Sequence, residues 1–298
     1  MSYRLINGKE VAAQVTAELE GRLGELRGKG VNPCLAVVMV GDDPASHVYV
    51  RMKGKACDRL GIRSLTRALP ADASEEELLS VLDGLNGDPD VHGVLCQLPL
   101  PPHMDERRVV ERIDSLKDVD AFHPLNVGRM LIGDPLFLPA TPAGIQQLLL
   151  RSDVALEGRE AVVLGRSNIV GKPIAAMLMQ KGAGADATVT VAHSRTAGLA
   201  QVTARADVLI AAIGKPRFVT ADMVKEGAVV IDVGTNRVDD PSSEKGYRLV
   251  GDVDFENVKH KTEAISPSPG GVGPMTIAML MQNTVKAAEI AAASKGIS

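Results

Sequence analysis

Apolar residues in the first hundred positions form spaced runs typical of helices and short continuous runs typical of buried strands. The spaced runs predict helices from about residue 11 to residues 28–30, from Pro44 to about Leu60, and from Ser74 to about Leu85. The continuous runs predict strands at residues 34–40, 64–69 and 91–96. Ser74-Glu75-Glu76-Glu77 has the pattern of a capping box, which marks the start of the third helix. This alternation predicts βα units around a parallel sheet.

The alternation resumes beyond residue 160 and predicts a second α/β domain. Strands are expected at residues 161–165, 187–192, 207–213 and 228–233, with helices between them. Thr141-Pro142 predicts the start of a helix that bridges the domains, because a capping side chain precedes a proline in the first turn. A last helix is expected over residues 275–292. We therefore expect one domain of residues 1–139 plus 275–298 and another of residues 140–274.

A polar turn between the apolar residues 161–164 and the next helical pattern is a candidate anion site. Its sequence is Gly165-Arg166-Ser167-Asn168-Ile169-Val170-Gly171-Lys172-Pro173. A strand, a tight turn and a helix in this order direct backbone N–H groups and the positive end of a helix dipole at a pyrophosphate. The spacing Gly-x-Ser-x-x-x-Gly differs from the dinucleotide fingerprint Gly-x-Gly-x-x-Gly, so an ordinary βα turn is the alternative.

The end of the next predicted strand indicates which dinucleotide this turn would bind. The strand is followed by His193-Ser194-Arg195-Thr196, which is basic and hydroxylic and contains no acid. An Asp or Glu at this place binds a free ribose 2′-hydroxyl, whereas Arg and hydroxyl donors suit a 2′-phosphate. The pattern favours NADP over NAD.

Composition excludes several other classes of protein. The net charge is −4, Trp is absent, and there are only three Tyr and four Phe, so neither a basic stripe nor a stacking platform for nucleic acid is expected. Residues 1–10 lack the apolar core of a signal peptide, and no apolar run approaches the roughly 18 residues that span a bilayer. The three cysteines, Cys34, Cys57 and Cys96, have no metal-binding spacing and suit a reducing compartment. We expect a cytoplasmic protein with no membrane partner.

The second predicted helix carries a Tyr and a Lys that share a face. Tyr49 and Lys53 are four residues apart, beside a stripe of Val48, Met52 and Ala56 that is expected to be buried. At the border between core and solvent, such a pair can stack on a flat ring and hold an ammonium over it. The alternative is a solvated lysine whose stem lies along the apolar surface while its ammonium stays in water, since lysines are rarely buried.

Further polar residues lie where strands and loops end. Gln97 directly follows a buried strand, so it either faces a ligand or hydrogen-bonds the turn backbone. Asp120 is a candidate carboxylate for a nitrogen-rich ring, with loop capping as the alternative. Its neighbours Asp118 and His123 do not have the spacing of a metal site, and none is expected. The glycines of residues 270–273 allow a ligand to approach bare backbone.

Six segments, in order over essentially the whole chain, carry a resemblance to a known family. They are Ser46-x-x-Tyr49-Val50-x-x-Lys53-x-Lys55-Ala56, Val91-His92-Gly93-Val94-x-x-Gln97-Leu98-Pro99-Leu100-Pro101, Lys117-Asp118-Val119-Asp120-x-Phe122-His123-Pro124-x-Asn126-x-Gly128, Gly165-Arg166-Ser167-x-Ile169-Val170-Gly171-x-Pro173, Ala187-Thr188-Val189-Thr190 with His193-Ser194, and residues 269–276. Together they resemble the bifunctional methylenetetrahydrofolate dehydrogenase/methenyltetrahydrofolate cyclohydrolases of the bacterial type.

The resemblance implies a two-domain α/β enzyme, in which an N-terminal catalytic domain faces a C-terminal Rossmann-like NADP-binding domain across a cleft. It implies NADP-dependent oxidation of 5,10-methylenetetrahydrofolate, hydrolysis of the methenyl product to 10-formyltetrahydrofolate, and a homodimer. At matching positions, Lys53 would transfer protons, Gln97 would tune Lys53, Tyr49 would stack on the folate and Asp120 would hold the pterin. The remaining expected contacts are Leu98, Pro269, Gly270 and Gly271 for the substrate, and Gly165, Arg166, Ser167, His193, Ser194, Arg195 and Thr235 for NADP.

Three residues depart from what is frequent in the family. Ala140 stands where Cys is frequent, Ser268 where Val is frequent, and Thr235 where Ile is also common, beside the expected nicotinamide. None removes a proposed catalytic group. Two other functions compete: a two-domain dehydrogenase of another class, such as one acting on a shikimate-like substrate, and a non-enzymatic sensor of NADP or folate. Lys53 discriminates against the sensor, which needs no proton-transfer group.

Overall fold

In the computed structural model, which describes residues 3–243 and 246–296, strands and helices alternate along most of the chain. The strands are β1 (Arg4–Leu5), β2 (Cys34–Val40), β3 (Arg63–Leu69), β4 (Gly93–Cys96), β5 (Glu160–Leu164), β6 (Thr188–Ala192), β7 (Val208–Ala211), β8 (Ala228–Asp232), β9 (Asn236–Asp239), β10 (Tyr247–Val250) and β11 (Thr262–Ile265). The α-helices are α1 (Gly8–Gly28), α2 (Pro44–Leu60), α3 (Glu75–Gly87), α4 (Glu106–Arg112), α5 (Pro124–Leu131), α6 (Ala140–Arg151), α7 (Gly171–Leu178), α8 (Leu199–Thr203), α9 (Phe255–Val258) and α10 (Val272–Ser294). Short 3-10 helices lie at Ala221–Met223 and Lys259–Lys261.

The chain packs into two units. We call them the three-stranded unit, residues 14–140 and 277–296, and the six-stranded unit, residues 3–13 and 141–276. No helix within the described ranges combines the length and the apolar character needed to cross a membrane.

The three-stranded unit is built on a parallel sheet in the order β3-β2-β4. All seven residues of β2 are buried, as expected for a central strand covered on both faces. The predicted capping box of α3 is present, with Ser74 Oγ accepting from the Glu77 N–H and the Glu77 carboxylate accepting from the Ser74 N–H. The apolar side chains of α3 pack with Val109 of α4 against the sheet.

Asn283 of α10 anchors the loop between α4 and α5 and the segment before α6. Asn283 Nδ2 donates to the carbonyl oxygens of Val119, at 2.8 Å, and of Leu138, at 2.9 Å. Farther along α10, Glu289 forms an ion pair of 2.7 Å with Arg22 of α1. Because Val119 precedes Asp120, the Asn283 contacts hold a predicted site residue in place.

The main sheet of the six-stranded unit is parallel, in the order β1-β11-β8-β7-β5-β6. The strand order reverses at β5, which lies between β6 and β7. In open α/β sheets, ligands bind beyond the carboxyl ends of the strands at such a switch point. Strands β9 and β10 form a separate antiparallel pair.

Every strand predicted from the sequence is present, with ends that differ by at most two residues. Strands β1, β9, β10 and β11 and helices α4 and α5 are not predicted, because runs this short carry too little periodicity. Residues 3–13 are expected in the first domain but pack in the six-stranded unit, since β1 pairs with β11. The predicted cap of α6 is wrong: the helix begins at Ala140, and Thr141 Oγ1 lies 2.9 Å from Thr276 Oγ1.

Candidate active site

Helix α2 places Tyr49 and Lys53 one turn apart. Lys53 is only 8% exposed, whereas Tyr49 is 41% exposed. Of the stripe expected to be buried, only Ala56 is buried, since Val48 and Met52 are exposed. An open ring next to a buried ammonium is the arrangement a flat ligand needs. The alternative of a solvated Lys53 is therefore wrong.

Lys53 is held by Gln97. Its Nζ donates to Gln97 Oε1 at 3.0 Å, and Gln97 Nε2 donates to the Leu98 carbonyl at 2.8 Å. The Gln97 backbone N–H donates to the Val38 carbonyl at 2.8 Å, which fixes Gln97 beside the central strand. The backbone role considered for Gln97 is therefore present, and its amide oxygen binds Lys53. An ammonium has three N–H donors, so Lys53 keeps further capacity for a ligand.

Asp120 is a second charged group close to Lys53. Burial raises the pKa of the Asp120 carboxyl, and the positive charge of Lys53 opposes this rise. Cys96, at the end of β4, has its pKa raised to about 12 by burial and, to a lesser extent, by the charges of Asp120 and Glu106. A thiol with this pKa stays protonated near neutrality, so Cys96 is not a nucleophile here.

The loop around Asp120 is shaped by Asp118. Its buried carboxylate accepts from the His123 N–H at 2.8 Å and from Asn126 Nδ2 at 2.9 Å. Burial raises the pKa of Asp118, although these two hydrogen bonds by themselves lower it. His123 Nδ1 in turn accepts from the Leu125 N–H at 3.1 Å at the start of α5. These residues build the loop, and within residues 3–243 and 246–296 no group of three or more His, Cys, Asp or Glu side chains is placed to hold a metal ion.

The turn after β5 requires a glycine at its first position. Gly165 has φ 140°, and a Cβ there would lie 2.1 Å from the carbonyl oxygen of Ala212, after β7. Its N–H donates to the Ala192 carbonyl at 2.8 Å, at the end of β6. The turn therefore lies against the ends of both neighbouring strands, at the switch point of the sheet.

Ser167 organises the start of α7. Its Oγ accepts from the N–H groups of Val170, at 3.1 Å, and Gly171, at 3.3 Å. A hydroxyl has two acceptor positions and one hydrogen, so the Ser167 hydrogen remains to be donated. Because Ser167 and Arg166 are both exposed, this turn offers a hydroxyl donor and a guanidinium to an anion.

The turn after β6 is stabilised by its own hydrogen bonds. The His193 N–H donates to Thr196 Oγ1 at 2.9 Å, and His193 Nδ1 accepts from the Arg195 N–H at 3.2 Å. Ser194 and Arg195 are exposed. Strands β5 and β6 are paired, so this turn and the turn at Gly165 lie side by side.

The remaining predicted contacts follow β8 and β11. Thr235 is exposed, next to Gly234. In the loop after β11, the Gly271 N–H donates to the Pro267 carbonyl at 2.9 Å, and Pro269 is exposed. A Cβ on Gly8 would lie 1.7 Å from the Gly271 carbonyl oxygen, so the start of α1 packs directly on this loop.

The predicted cofactor residues therefore lie at one edge of the six-stranded sheet, and they fit a phosphorylated dinucleotide. The glycine turn lies at the switch point, and the basic and hydroxylic turn lies on the β6 side of it. Residues 193–196 contain no acid that could bind a free 2′-hydroxyl. The residues missed by the sequence analysis are Asp232, Asn236 and Asp252. Their side chains make hydrogen bonds in the loops that follow β7 and β8. Their only sequence signal is that Asp232 ends a buried strand.

Two family models match the chain. The catalytic domain of tetrahydrofolate dehydrogenase/cyclohydrolase matches residues 6–120, and the NAD(P)-binding domain matches residues 139–292. A bifunctional protein FolD of Dehalococcoides mccartyi is 54% identical over 97% of this chain and 98% of its own length.

Solved structures show the same likeness. The bifunctional FolD of Campylobacter jejuni is 47% identical with a TM-score of 0.91, over 97% of this chain and 99% of that one. The Trypanosoma brucei enzyme, solved with NADP cofactor and an inhibitor, is 39% identical with a TM-score of 0.92, over 97% and 98%. A shikimate 5-dehydrogenase of Thermus thermophilus, 16% identical with a TM-score of 0.51 over 86% of this chain and 99% of that one, shares the fold alone.

These matches define an enzyme with a folate-family catalytic domain and a nicotinamide dinucleotide domain. The chain belongs to the tetrahydrofolate dehydrogenase/cyclohydrolase family. The predicted family, two-domain α/β fold class and class of cofactor are confirmed.

Proposed function

We propose that this chain oxidises 5,10-methylenetetrahydrofolate with NADP and hydrolyses the resulting 5,10-methenyltetrahydrofolate to 10-formyltetrahydrofolate. The observation that carries the proposal is the hydrogen bond between the buried Lys53 and Gln97, next to the Asp120 carboxyl. A sensor has no need of a proton-transfer group, and the likeness to a shikimate dehydrogenase is only 16% in identity, whereas a bifunctional protein FolD is 54% identical over nearly the whole chain. We assign the pterin contacts to the three-stranded unit and NADP binding to the six-stranded unit.

In the dehydrogenase step, the protein binds NADP and the folate and aligns the two for hydride transfer. Bound NADP supplies the hydride acceptor. Arg166, Ser167 and Ser194 would hold its phosphates, with the 2′-phosphate assigned to Arg166 and Ser194, and His193 and Arg195 would complete that turn. Gly165 would let the backbone approach, and Thr235 would belong to the loop on the nicotinamide side. Pro269, Gly270 and Gly271 present bare backbone to the folate.

In the hydrolytic step, Lys53 moves protons. Water attacks the methenyl carbon and loses one proton. As the bond from that carbon to the ring nitrogen breaks, the remaining hydroxyl proton leaves, the oxygen becomes the formyl carbonyl and the ring nitrogen takes up a proton, so one proton is released overall. Lys53 serves this transfer because its Nζ is fixed by Gln97 Oε1: as the amine it takes the proton of the attacking water, and as the ammonium so formed it gives a proton to the departing ring nitrogen, while an N–H group stays on Gln97 in both forms. Tyr49 stacks on the pterin, Asp120 accepts from its ring nitrogens, and Leu98 completes the contact.

The test is a pair of assays on wild type, Lys53→Met and the control Lys55→Met. One assay follows NADP-dependent oxidation of methylenetetrahydrofolate, and the other follows hydrolysis of supplied methenyltetrahydrofolate. We expect Lys53→Met to lose hydrolysis by at least about 100-fold, within the usual range for general acid–base catalysis, while oxidation remains measurable. Lys55 is exposed on the same helix, so its variant should keep both activities. Hydrolysis at the wild-type rate in Lys53→Met would refute the mechanism.

The proposal extends to the oligomeric state of the protein and to its cellular compartment. The protein acts as a homodimer in the cytoplasm, which agrees with its three free cysteines, all buried. Light scattering at micromolar concentration would give twice the chain mass of 31.4 kDa for a dimer. Cell fractionation would test the location.

A further inference from the structure

Two buried aspartates in the six-stranded unit have no part in the mechanism above. Asp232 ends β8 and is 2% exposed, and Asp252 follows β10 and is fully buried. Burying a carboxylate costs several kcal/mol unless hydrogen bonds replace those it made to water. A sequence keeps such groups where the hydrogen bonds they make hold something in place.

Asp252 joins two loops at the carboxyl edge of the sheet. Its Oδ2 accepts from the N–H groups of Ile213, at 2.7 Å, and Gly214, at 2.8 Å, in the loop after β7. Its Oδ1 accepts from Asn236 Nδ2 at 2.8 Å, directly after Thr235. One carboxylate thus sets the distance between the loop after β7 and the segment after β8.

Asp232 makes this arrangement rigid. Its carboxylate accepts from the backbone N–H groups of Gly234, at 3.0 Å, Asp252, at 2.9 Å, and Val253, at 3.1 Å. A Cβ on Gly234 would lie 2.2 Å from Asp252 Oδ1, so the chain passes in contact with the carboxylate. Ser268, one of the departures from the family pattern, donates its hydroxyl to the Gly234 carbonyl.

The strand order decides what these loops face. The turn at residues 193–195, proposed for the 2′-phosphate, follows β6, and the phosphate turn at Gly165 follows β5. A dinucleotide that runs from β6 across β5 continues over β7 and β8, because these are the next strands in the sheet. Its nicotinamide end therefore meets residues 212–214 and 233–235.

We propose that Asp252 and Asn236 are a positioning pair for hydride transfer: they fix the two loops that support the nicotinamide, so that its acceptor carbon is held in the position that hydride transfer needs. This inference rests on the proposed function. It assigns the pair no contact with substrate. Misplacement of a reacting group by about 1 Å costs about 100-fold in rate, so a loosened pair lowers kcat for oxidation more than it changes the KM for NADP.

The test uses Asn236→Ala, Asp252→Asn and the exchange Asp252→Asn/Asn236→Asp in the full chain. In Asp252→Asn, the new amide N–H group either faces the two backbone N–H groups, or Asn236 turns its amide over to accept from it and gives up its 3.4 Å hydrogen bond to the Val250 carbonyl, so one contact is lost in each case. In the exchange, the amide at position 252 would accept from the backbone and donate to the carboxylate at position 236, which restores both contacts of position 252; the Val250 carbonyl loses its 3.4 Å hydrogen bond from position 236, as it does in Asn236→Ala. The matched control is Asn257→Ala, since Asn257 Nδ2 donates to Asp254 at 2.6 Å in an exposed Asn–Asp pair of the same unit.

We expect Asn236→Ala and Asp252→Asn to lower the kcat of oxidation by about 10-fold to 100-fold, with the KM for NADP within about threefold of wild type. Hydrolysis of supplied methenyltetrahydrofolate should stay within about twofold, since Lys53 and Gln97 lie in the other unit. The exchange should recover most of the kcat that Asn236→Ala loses, since it keeps the contact between positions 252 and 236.

The inference is overturned if oxidation by Asn236→Ala matches that of the Asn257→Ala control, if oxidation and hydrolysis fall together, or if the exchange recovers nothing. A wild-type chain without either activity would instead overturn the proposed function. The two failures are therefore distinguishable.

Discussion

Ionisation of Asp232 should make the edge of the six-stranded sheet less stable as pH rises. Burial raises the pKa of this carboxyl from the ordinary 3.8 to about 7, and the nearby Asp252 acts in the same direction, against the hydrogen bonds from Asp252, Val253 and Gly234. The folded chain holds the proton more tightly than the unfolded chain does. The stability that this proton contributes is fully present below pH 3.8 and is lost as pH rises through about 7.

The size of the effect follows from the displacement of the pKa. Each pH unit is worth about 1.4 kcal/mol, so the whole displacement corresponds to on the order of 4 kcal/mol. Between pH 5 and pH 8, roughly 2.5 kcal/mol of opening free energy should disappear. Asp232→Asn cannot ionise and should lack this slope, even if its amide fits the Val253 N–H less well.

Hydrogen exchange at the Asp252 and Val253 amides measures this loss locally, because both amides donate to the Asp232 carboxylate. Opening free energies of the peptide around these residues would be compared from about pH 5 to about pH 8, after correction for intrinsic exchange rates. The control Asp239→Asn changes an exposed aspartate at the end of β9 and should keep the wild-type slope. Equal slopes in wild type and Asp232→Asn would refute the reasoning.

Two further predictions concern residues at the sites. Ala121, next to Asp120, is buried and has φ 57°, a backbone conformation that suits glycine and disfavours a β-branched residue. In urea unfolding, Ala121→Val should therefore destabilise the chain by about 2–3 kcal/mol, while Ala121→Gly should stay within about 1 kcal/mol of wild type. Equal effects of the two substitutions would contradict this prediction. Gly165→Ala should lower the free energy of unfolding by about 3 kcal/mol or more and abolish NADP binding in calorimetry, because its Cβ meets the Ala212 carbonyl. The control is Gly21→Ala: this exposed glycine of α1 has open space around it, so the substitution should raise the free energy of unfolding by up to about 1 kcal/mol. Wild-type NADP affinity in Gly165→Ala would count against the assigned turn.

Much of the candidate site was predictable because its residues carry local signals. Gln97 directly follows a continuous apolar run, and Gly165 ends another, so each could be assigned to a strand end. The spacing of Tyr49 and Lys53 places them on one helical face. The network of Asp232, Asn236 and Asp252 could not be predicted, since its members share no periodicity and meet only when β8, β9 and the segment after β10 come together.

The amino-acid sequence by itself determined the helices and strands long enough to show a period, the capping box at Ser74, and the chemical character of the turns. The burial of Lys53, the pairing of β1 with β11 and the two uses of the Ser167 hydroxyl were decided only by the tertiary structure. The physical reason is the separation along the chain over which each effect acts. Periodicity and capping depend on neighbours within a few residues, whereas desolvation and hydrogen bonding depend on every group that the fold brings close.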